Sequence, residues 1–175
     1  AIVVIPRNGE HHFQPVLAAS PIPVTLVEGD ETRQASVRRG LQAIRMDRDL
    51  DEAQVVLVHD AVRPLVPATV VARVIATIRE GAVAVAPAIA VSDSIREETD
   101  DGRLVIVDRN RLRAVQTPQG FQLAVLIASH DYAAEQQIDC TDDLSVCEAA
   151  GHPVRLVKGA MTAVKITSAT DLDLA

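Results

Sequence analysis

Val55 to Val58 are four consecutive aliphatic residues, and the chain continues His59-Asp60-Ala61-Val62-Arg63-Pro64. An unbroken aliphatic run of this length, stopped by a proline, predicts a strand covered on both faces, as in a parallel sheet. Asp60 and Arg63 then fall just past the strand's carboxyl end, where open α/β sheets bind ligands. A carboxylate there suits a hard cation, and a guanidinium suits phosphate oxygens. The alternative is an ordinary strand-to-helix loop in which Asp60 only caps the next helix.

Patterning on either side of this run predicts the rest. Ala1–Ile5 reads as a strand, Pro6–Gly9 as a turn, His11–Ala19 as a short helix and Val24–Val27 as a strand. Val37, Leu41 and Ile44 give Ala35–Ile44 a helical period. Pro67 opens a helix whose buried stripe is Val70, Val71, Val74, Ile75 and Ile78, with Gly81 ending it. Ala82–Ala90 is short and apolar, hence a strand. Alternating strands and helices imply parallel pairing and right-handed crossovers. The polar stretch Val91–Val115, with Asp100-Asp101-Gly102 midway, breaks the rhythm and reads as a projecting hairpin able to reach a second subunit. Gln122–Tyr132 is helical, Thr141 is a good N-cap, and Val154–Val157 and Ala163–Thr167 close the chain as strands.

With 48% hydrophobic residues in 175, the chain can bury a sizeable core. Its only aromatic side chains are Phe13, Phe121 and Tyr132, so that core is aliphatic. A net charge of −7 argues against sequence-independent nucleic-acid binding, which needs a basic face. Cys140 and Cys147 lack a histidine at metal-like spacing and read as small hydrophobes. No apolar run is long enough to span a bilayer and no signal peptide is visible, so a cytoplasmic protein without membrane contact is expected.

Other segments carry weaker chemical signals. Gly29-Asp30-Glu31-Thr32-Arg33-Gln34-Ala35-Ser36 joins a strand to a helix start, which attracts anions or a base, or is simply a βα turn. Asp108-Arg109-Asn110 lies on the second arm of the hairpin, where Arg109 either completes a neighbour's site or is a solvated charge. Thr117-Pro118-Gln119-Gly120-Phe121 is a tight connection. Thr141-Asp142-Asp143 offers a hydroxyl and amides at a helix start. Lys165 interrupts an apolar run, so its ammonium faces a cleft or an edge. His59 and Asp60 are adjacent and point to opposite sides of an extended chain, and no Gly-x-Ser-x-Gly elbow occurs, so a serine-hydrolase triad is excluded.

Five of these segments come in a familiar order: Val58-His59-Asp60-Ala61-Val62-Arg63-Pro64, Asp108-Arg109-Asn110, Gln116-Thr117-Pro118-Gln119, Thr141-Asp142-Asp143 and Lys165-Ile166-Thr167. In this order the chain resembles the 2-C-methyl-D-erythritol 4-phosphate cytidylyltransferases from Ile2 to Leu174. The resemblance implies a single α/β nucleotidyltransferase domain over residues 1–175. Its sheet would be doubly wound, Rossmann-like and mostly parallel, and a β-arm at 91–115 would build a homodimer. It implies transfer of CMP from CTP to a sugar-alcohol phosphate with release of pyrophosphate, in the non-mevalonate isoprenoid pathway. Ribitol 5-phosphate as acceptor, and a non-catalytic dimeric nucleotide-binding domain, are the competing readings. A substrate panel and CTP calorimetry beside a turnover assay discriminate them.

The resemblance also implies roles. The loop Gly29, Asp30, Glu31 to Ser36 would receive cytosine and ribose. Asp60 would hold Mg²⁺. Ala61, Arg63, Thr117, Thr141 and Lys165 would line the phosphates and the acceptor, with Asp60, Arg63 and Lys165 carrying catalysis. Ser94 would touch the acceptor, and Arg109 would reach its phosphate from the partner's arm. Two departures from the family pattern stand out. Gly29-Asp30 replaces the usual Gly-Gly, and Ala1 matches the start of the family's second strand. The family's first strand and Gly-rich phosphate loop are not in this sequence. The chain is therefore expected to be a piece of a longer protein, with an opening in the sheet.

Overall fold

In a computed structural model, residues 1–47, 50 and 53–174 are described. Strands β1 (Ile2–Ile5) and β2 (Thr25–Glu28) pair in parallel, joined through helix α1 (Glu10–Leu17). Helix α2 (Arg33–Met46) packs on both. Its cap is Thr32, whose hydroxyl accepts from the Ala35 amide at 3.1 Å, so the helix starts earlier than its apolar period indicated.

Next come β3 (Val55–Val58), α3 (Ala68–Arg79) and β4 (Ala84–Ala90), with Pro67 capping α3 and Gly81 at φ +104° turning the chain away. The hairpin is real but shorter than expected. β5 (Ile95–Glu98) and β6 (Leu104–Val107) form an antiparallel pair of their own. A 3-10 turn over Arg109–Arg111 then leads into β7 (Arg113–Val115), which returns to β4. Arg109 thus sits after the hairpin and not on its second arm. The remaining elements are β8 (Gln119–Gln122), α4 (Leu123–Glu135), α5 (Asp143–Ala149), β9 (Val154–Lys158) and α6 (Ala169–Leu174).

The five-stranded sheet is mixed, which corrects the expectation of mostly parallel strands. β4 and β9 are parallel, but β8 lies antiparallel between β3 and β4, and β7 runs antiparallel along β4 beyond it. The reason is the excursion at 91–112. The chain returns at the end where β4 stopped, so it can only run back along that strand. Gln119–Phe121, expected to be part of a connection, therefore enters the sheet in β8. β3 is outermost and only half-buried, not fully covered as its aliphatic run suggested. Ala163–Thr167 forms no strand at all.

Helices pack on both faces of this mixed sheet. On one face Ala84, Ala86 and Phe121 meet Leu126 of α4 and Leu144 and Cys147 of α5. On the other, Val85 meets Val74 and Ile78 of α3. Gly120 allows α3 this close, because a Cβ there would fall 2.4 Å from Val74 Cγ1. Cys147 is wholly buried, and burial pushes its thiol up to about 11, so it acts as a core hydrophobe. Among the described residues no helix is long and apolar enough to cross a membrane.

Candidate active site

β3, β4 and β9 point the same way, so His59-Asp60, the Val91–Ser94 segment and Gly159–Lys165 all leave the sheet at one edge. β8 starts at that edge, because Gln119 is in register with Val58. Thr117, just before it, is buried, and the Thr117–Pro118 peptide is cis. The Asp60 amide donates to Thr117 Oγ1 at 3.0 Å, and the same hydroxyl lies 3.0 Å from His59 Nδ1. One hydroxyl can accept the first bond and donate the second, so Thr117 fixes the backbone of Asp60 and the ring of His59 together. Burial depresses the His59 imidazole below its usual 6.5, against the opposing pull of its hydrogen bond with the Arg63 backbone and of Asp60.

Asp60 is the hub of the charges. Its Oδ2 is 3.5 Å from Arg63 Nε and 3.6 Å from Lys165 Nζ, and its Oδ1 is 3.8 Å from an Arg33 Nη2. Arg63 also donates to the Ala163 carbonyl at 2.8 Å, and the Ile166 amide donates to the Val62 carbonyl at 2.8 Å. Gln116 adds bonds to both the amide and the carbonyl of Ala160. These bonds hold the irregular 160–166 segment, and Lys165 with it, against the loop that follows β3. A strand was not needed to deliver the ammonium.

Arg33 was not singled out as a site residue, although it stands in the Gly29–Ser36 stretch. As the first residue of α2 it forms a 2.8 Å ion pair with Asp143, a fully buried carboxylate. Asp143 Oδ1 is 3.0 Å from Nε2 of His130, itself buried in α4. Neither Arg33 nor His130 could be read from spacing, because both partners lie far away in sequence. Arg33, Arg63 and Lys165 stand against Asp60, Asp143 and Asp142, whose carboxyl Arg33 also attracts, so three cations meet three carboxylates. The edge thus gathers three cations on a protein of net charge −7.

Around this centre the other expected residues fall as follows. Gly29 approaches β1 so closely that a Cβ would be 2.8 Å from Ser36 Oγ and 3.2 Å from Val4. Ser36 Oγ accepts from the Asp30 amide at 2.9 Å and so ties the loop to α2. Asp30 takes hydrogen bonds from Arg39 and Arg7, both at 2.8 Å, which with the Glu31 amide hold its carboxyl below the usual range. An aspartate in place of the second glycine is thus accommodated by two arginines. Ala61 is in the exposed turn after Asp60.

Thr141 is exposed but does not cap α5. Asp142 does, accepting from the Ser145 amide at 2.9 Å and from its hydroxyl at 2.7 Å. A carboxylate can take both bonds, and Gln119 Nε2 adds a third at 2.8 Å. Ser94 is exposed, and Arg109 donates to the Ser92 carbonyl of its own chain. Among the described residues no hydrogen bond or ion pair joins Ser94 or Arg109 to the Asp60 cluster.

The chain matches the family 2-C-methyl-D-erythritol 4-phosphate cytidylyltransferase (IspD) over residues 1–175. It belongs to that family. It is 40% identical to the 2-C-methyl-D-erythritol 4-phosphate cytidylyltransferase of Streptomyces coelicolor, over 99% of this chain and 66% of that protein. Against the bifunctional enzyme IspD/IspF of Allorhizobium ampelinum it is 42% identical, over 92% of this chain and 38% of that protein. The chain therefore spans about two thirds or less of these relatives' lengths. The crystal structure of the Thermus thermophilus cytidylyltransferase superposes with a TM-score of 0.79 at 35% identity, covering 99% of this chain and 78% of that one.

Proposed function

We propose that the protein transfers CMP from CTP to 2-C-methyl-D-erythritol 4-phosphate, releasing pyrophosphate, within a nucleotidyltransferase domain over 1–175 into which the hairpin is inserted. The observation that carries this reading is Asp60, held by Thr117 and ringed by Arg33, Arg63 and Lys165 at the carboxyl edge of the sheet. The names of the relatives and the family membership support it.

Asp60 is the residue that would hold Mg²⁺. The donor set fits, because Mg²⁺ commonly takes one or two carboxylates and completes its shell with substrate phosphates and water. Among the described residues no group of three acidic, histidine or cysteine side chains is placed to cage a metal, which suits an ion that arrives with the nucleotide. When bound, the ion neutralises charge on the phosphates.

The chain's own residues do the rest. The loop from Gly29 to Ser36, with Asp30 and Glu31, takes the cytosine and ribose. Lys165 and Arg63 neutralise charge growing on the α-phosphate, while Ala61, Thr117 and Thr141 line the phosphate and acceptor space. The acceptor's phosphate oxygen is the nucleophile. Its second pKa is about 6, so it is already ionised at neutral pH and needs no general base. Catalysis is then positioning and charge neutralisation. Ser94 and Arg109, at the foot of the hairpin, meet the acceptor in a homodimer in which each hairpin packs on the other subunit.

Pyrophosphate release from CTP, with and without 2-C-methyl-D-erythritol 4-phosphate and Mg²⁺, tests the reading, and phosphorus NMR identifies the product. Release dependent on both supports it. CTP binding without acceptor-dependent release would overturn it, and preference for ribitol 5-phosphate would reassign the acceptor.

A further inference from the structure

We infer that His130 is a positioning residue: through Asp143 it holds the Arg33 guanidinium beside Asp60. The three side chains come from α4, α5 and α2, and the line they form runs from the core to the sheet edge. His130 Nε2 is 3.0 Å from Asp143 Oδ1, and Asp143 Oδ2 is 2.8 Å from Arg33 Nη2. The same Arg33 nitrogen is 3.8 Å from Asp60 Oδ1. His130 is 1% exposed and Asp143 0%, whereas the Arg33 side chain is 38% exposed.

Each link has a physical reason. An ionised carboxylate only accepts, so the proton of the His130 bond sits on Nε2. A wholly buried carboxylate is costly unless several donors share it. Asp143 has the Nε2–H on one oxygen, while the other makes no hydrogen bond and is ion-paired with Arg33. Its amide is anchored too, donating to Gln119 Oε1 at 3.2 Å. With one oxygen pinned by His130, the carboxylate plane cannot turn, and the second oxygen stays aimed at Arg33. Without that pin the carboxylate rotates, and Arg33 is free to move the short remaining distance onto Asp60. It would then occupy the group that the proposed reaction needs. His130 Nδ1 has no hydrogen-bond partner among the described residues, so the ring's polar role is concentrated on Asp143.

The relevance to catalysis rests on the function proposed above, and the test separates the two. Side-chain nitrogen NMR of Arg33, assigned with Arg33→Lys, reads its restraint directly and needs no substrate. The Nη signals should be resolved in the unaltered protein, averaged in His130→Leu, and retained in His130→Gln, whose amide can still donate to Asp143. Should the leucine variant fail to fold, His130→Asn serves, since its shorter amide falls short of the carboxylate. Kinetically, kcat/KM for CTP should fall about ten-fold in His130→Leu, the order that loss of an orienting partner costs. It should recover in His130→Gln. In an Arg33→Ala background His130→Leu should cause no further loss, whereas a purely structural histidine would cost the same in both backgrounds. Arg33 signals unchanged by His130→Leu would overturn the inference. Restrained Arg33 in a protein that turns over no CTP would leave His130's role standing and overturn the proposed function instead.

Discussion

The ammonium of Lys165 stands 3.6 Å from Oδ2 of Asp60, delivered by an irregular segment that Arg63 and Gln116 bind to the neighbouring loops. Its side chain is 49% exposed, so the pair adds little to folding, well under about 1 kcal/mol for contacts of this kind. Under the proposed function this cation meets charge that develops in the reaction.

Lys165→Ala should therefore leave the melting temperature nearly unchanged. Turnover should fall by about 10²–10³, the order seen when one preorganised charge-stabilising group is lost. CTP affinity should fall less. Thermal scans beside kcat measurements check this, and a loss of stability with normal turnover per folded molecule would make Lys165 structural.

Asp60→Asn should abolish nearly all turnover even at saturating Mg²⁺. It also removes the negative charge shared by Arg33, Arg63 and Lys165. Metal-free CTP should consequently bind at least as well as before. Calorimetry in the presence of a chelator, paired with pyrophosphate release, reads both outcomes. Near-normal turnover would remove Asp60 from the metal site.

Thr117→Val keeps the volume and deletes the hydroxyl that meets the Asp60 amide and His59. Leaving that amide unpaired should cost about 1–3 kcal/mol in a urea titration. Turnover should drop as well, because Asp60 loses its backbone anchor. Unaltered stability would mean that water replaces the hydroxyl without penalty.

Asp142 supplies a pH dependence. Burial alone would raise its carboxyl, but the Ser145 hydroxyl and amide, Gln119 and Arg33 together hold it below the usual 3.8. The folded state thus prefers the ionised form. Its stabilisation is complete above the unfolded value and is lost as pH falls through the lower folded value. Asp142→Asn keeps a capping oxygen and should flatten the acid limb of stability below about pH 4. Parallel acid-unfolding curves for the two proteins would refute the assignment.

Arg109 is expected to act from a partner subunit, although its guanidinium rests on the Ser92 carbonyl of its own chain. Leu104 and Ile106 of the hairpin are 62% and 71% exposed, an apolar surface that a second copy would cover. Mixing inactive Arg109→Ala and Asp60→Asn chains should restore part of the activity once subunits exchange. Verified exchange without recovery would place Arg109 in its own subunit's site or outside any site.

Local sequence determined a good deal here. The aliphatic run and the proline put Asp60 at a strand's carboxyl end, and the periodicity of α2 and α3 marked which faces they bury. Period and punctuation are set by neighbouring residues, so they survive in the sequence. What partners a segment finds is set by chain return and packing, and these are long-range. Only the tertiary structure decided that the Gln119–Gln122 segment would slot in antiparallel, that Ala163–Thr167 would stay irregular, and that Asp142 rather than Thr141 would cap α5. The line from His130 through Asp143 to Arg33 belongs to the same class. Each residue looks ordinary in its own helix, and the charge of Asp143 becomes tolerable only where three helices converge to give it one hydrogen bond and one ion pair.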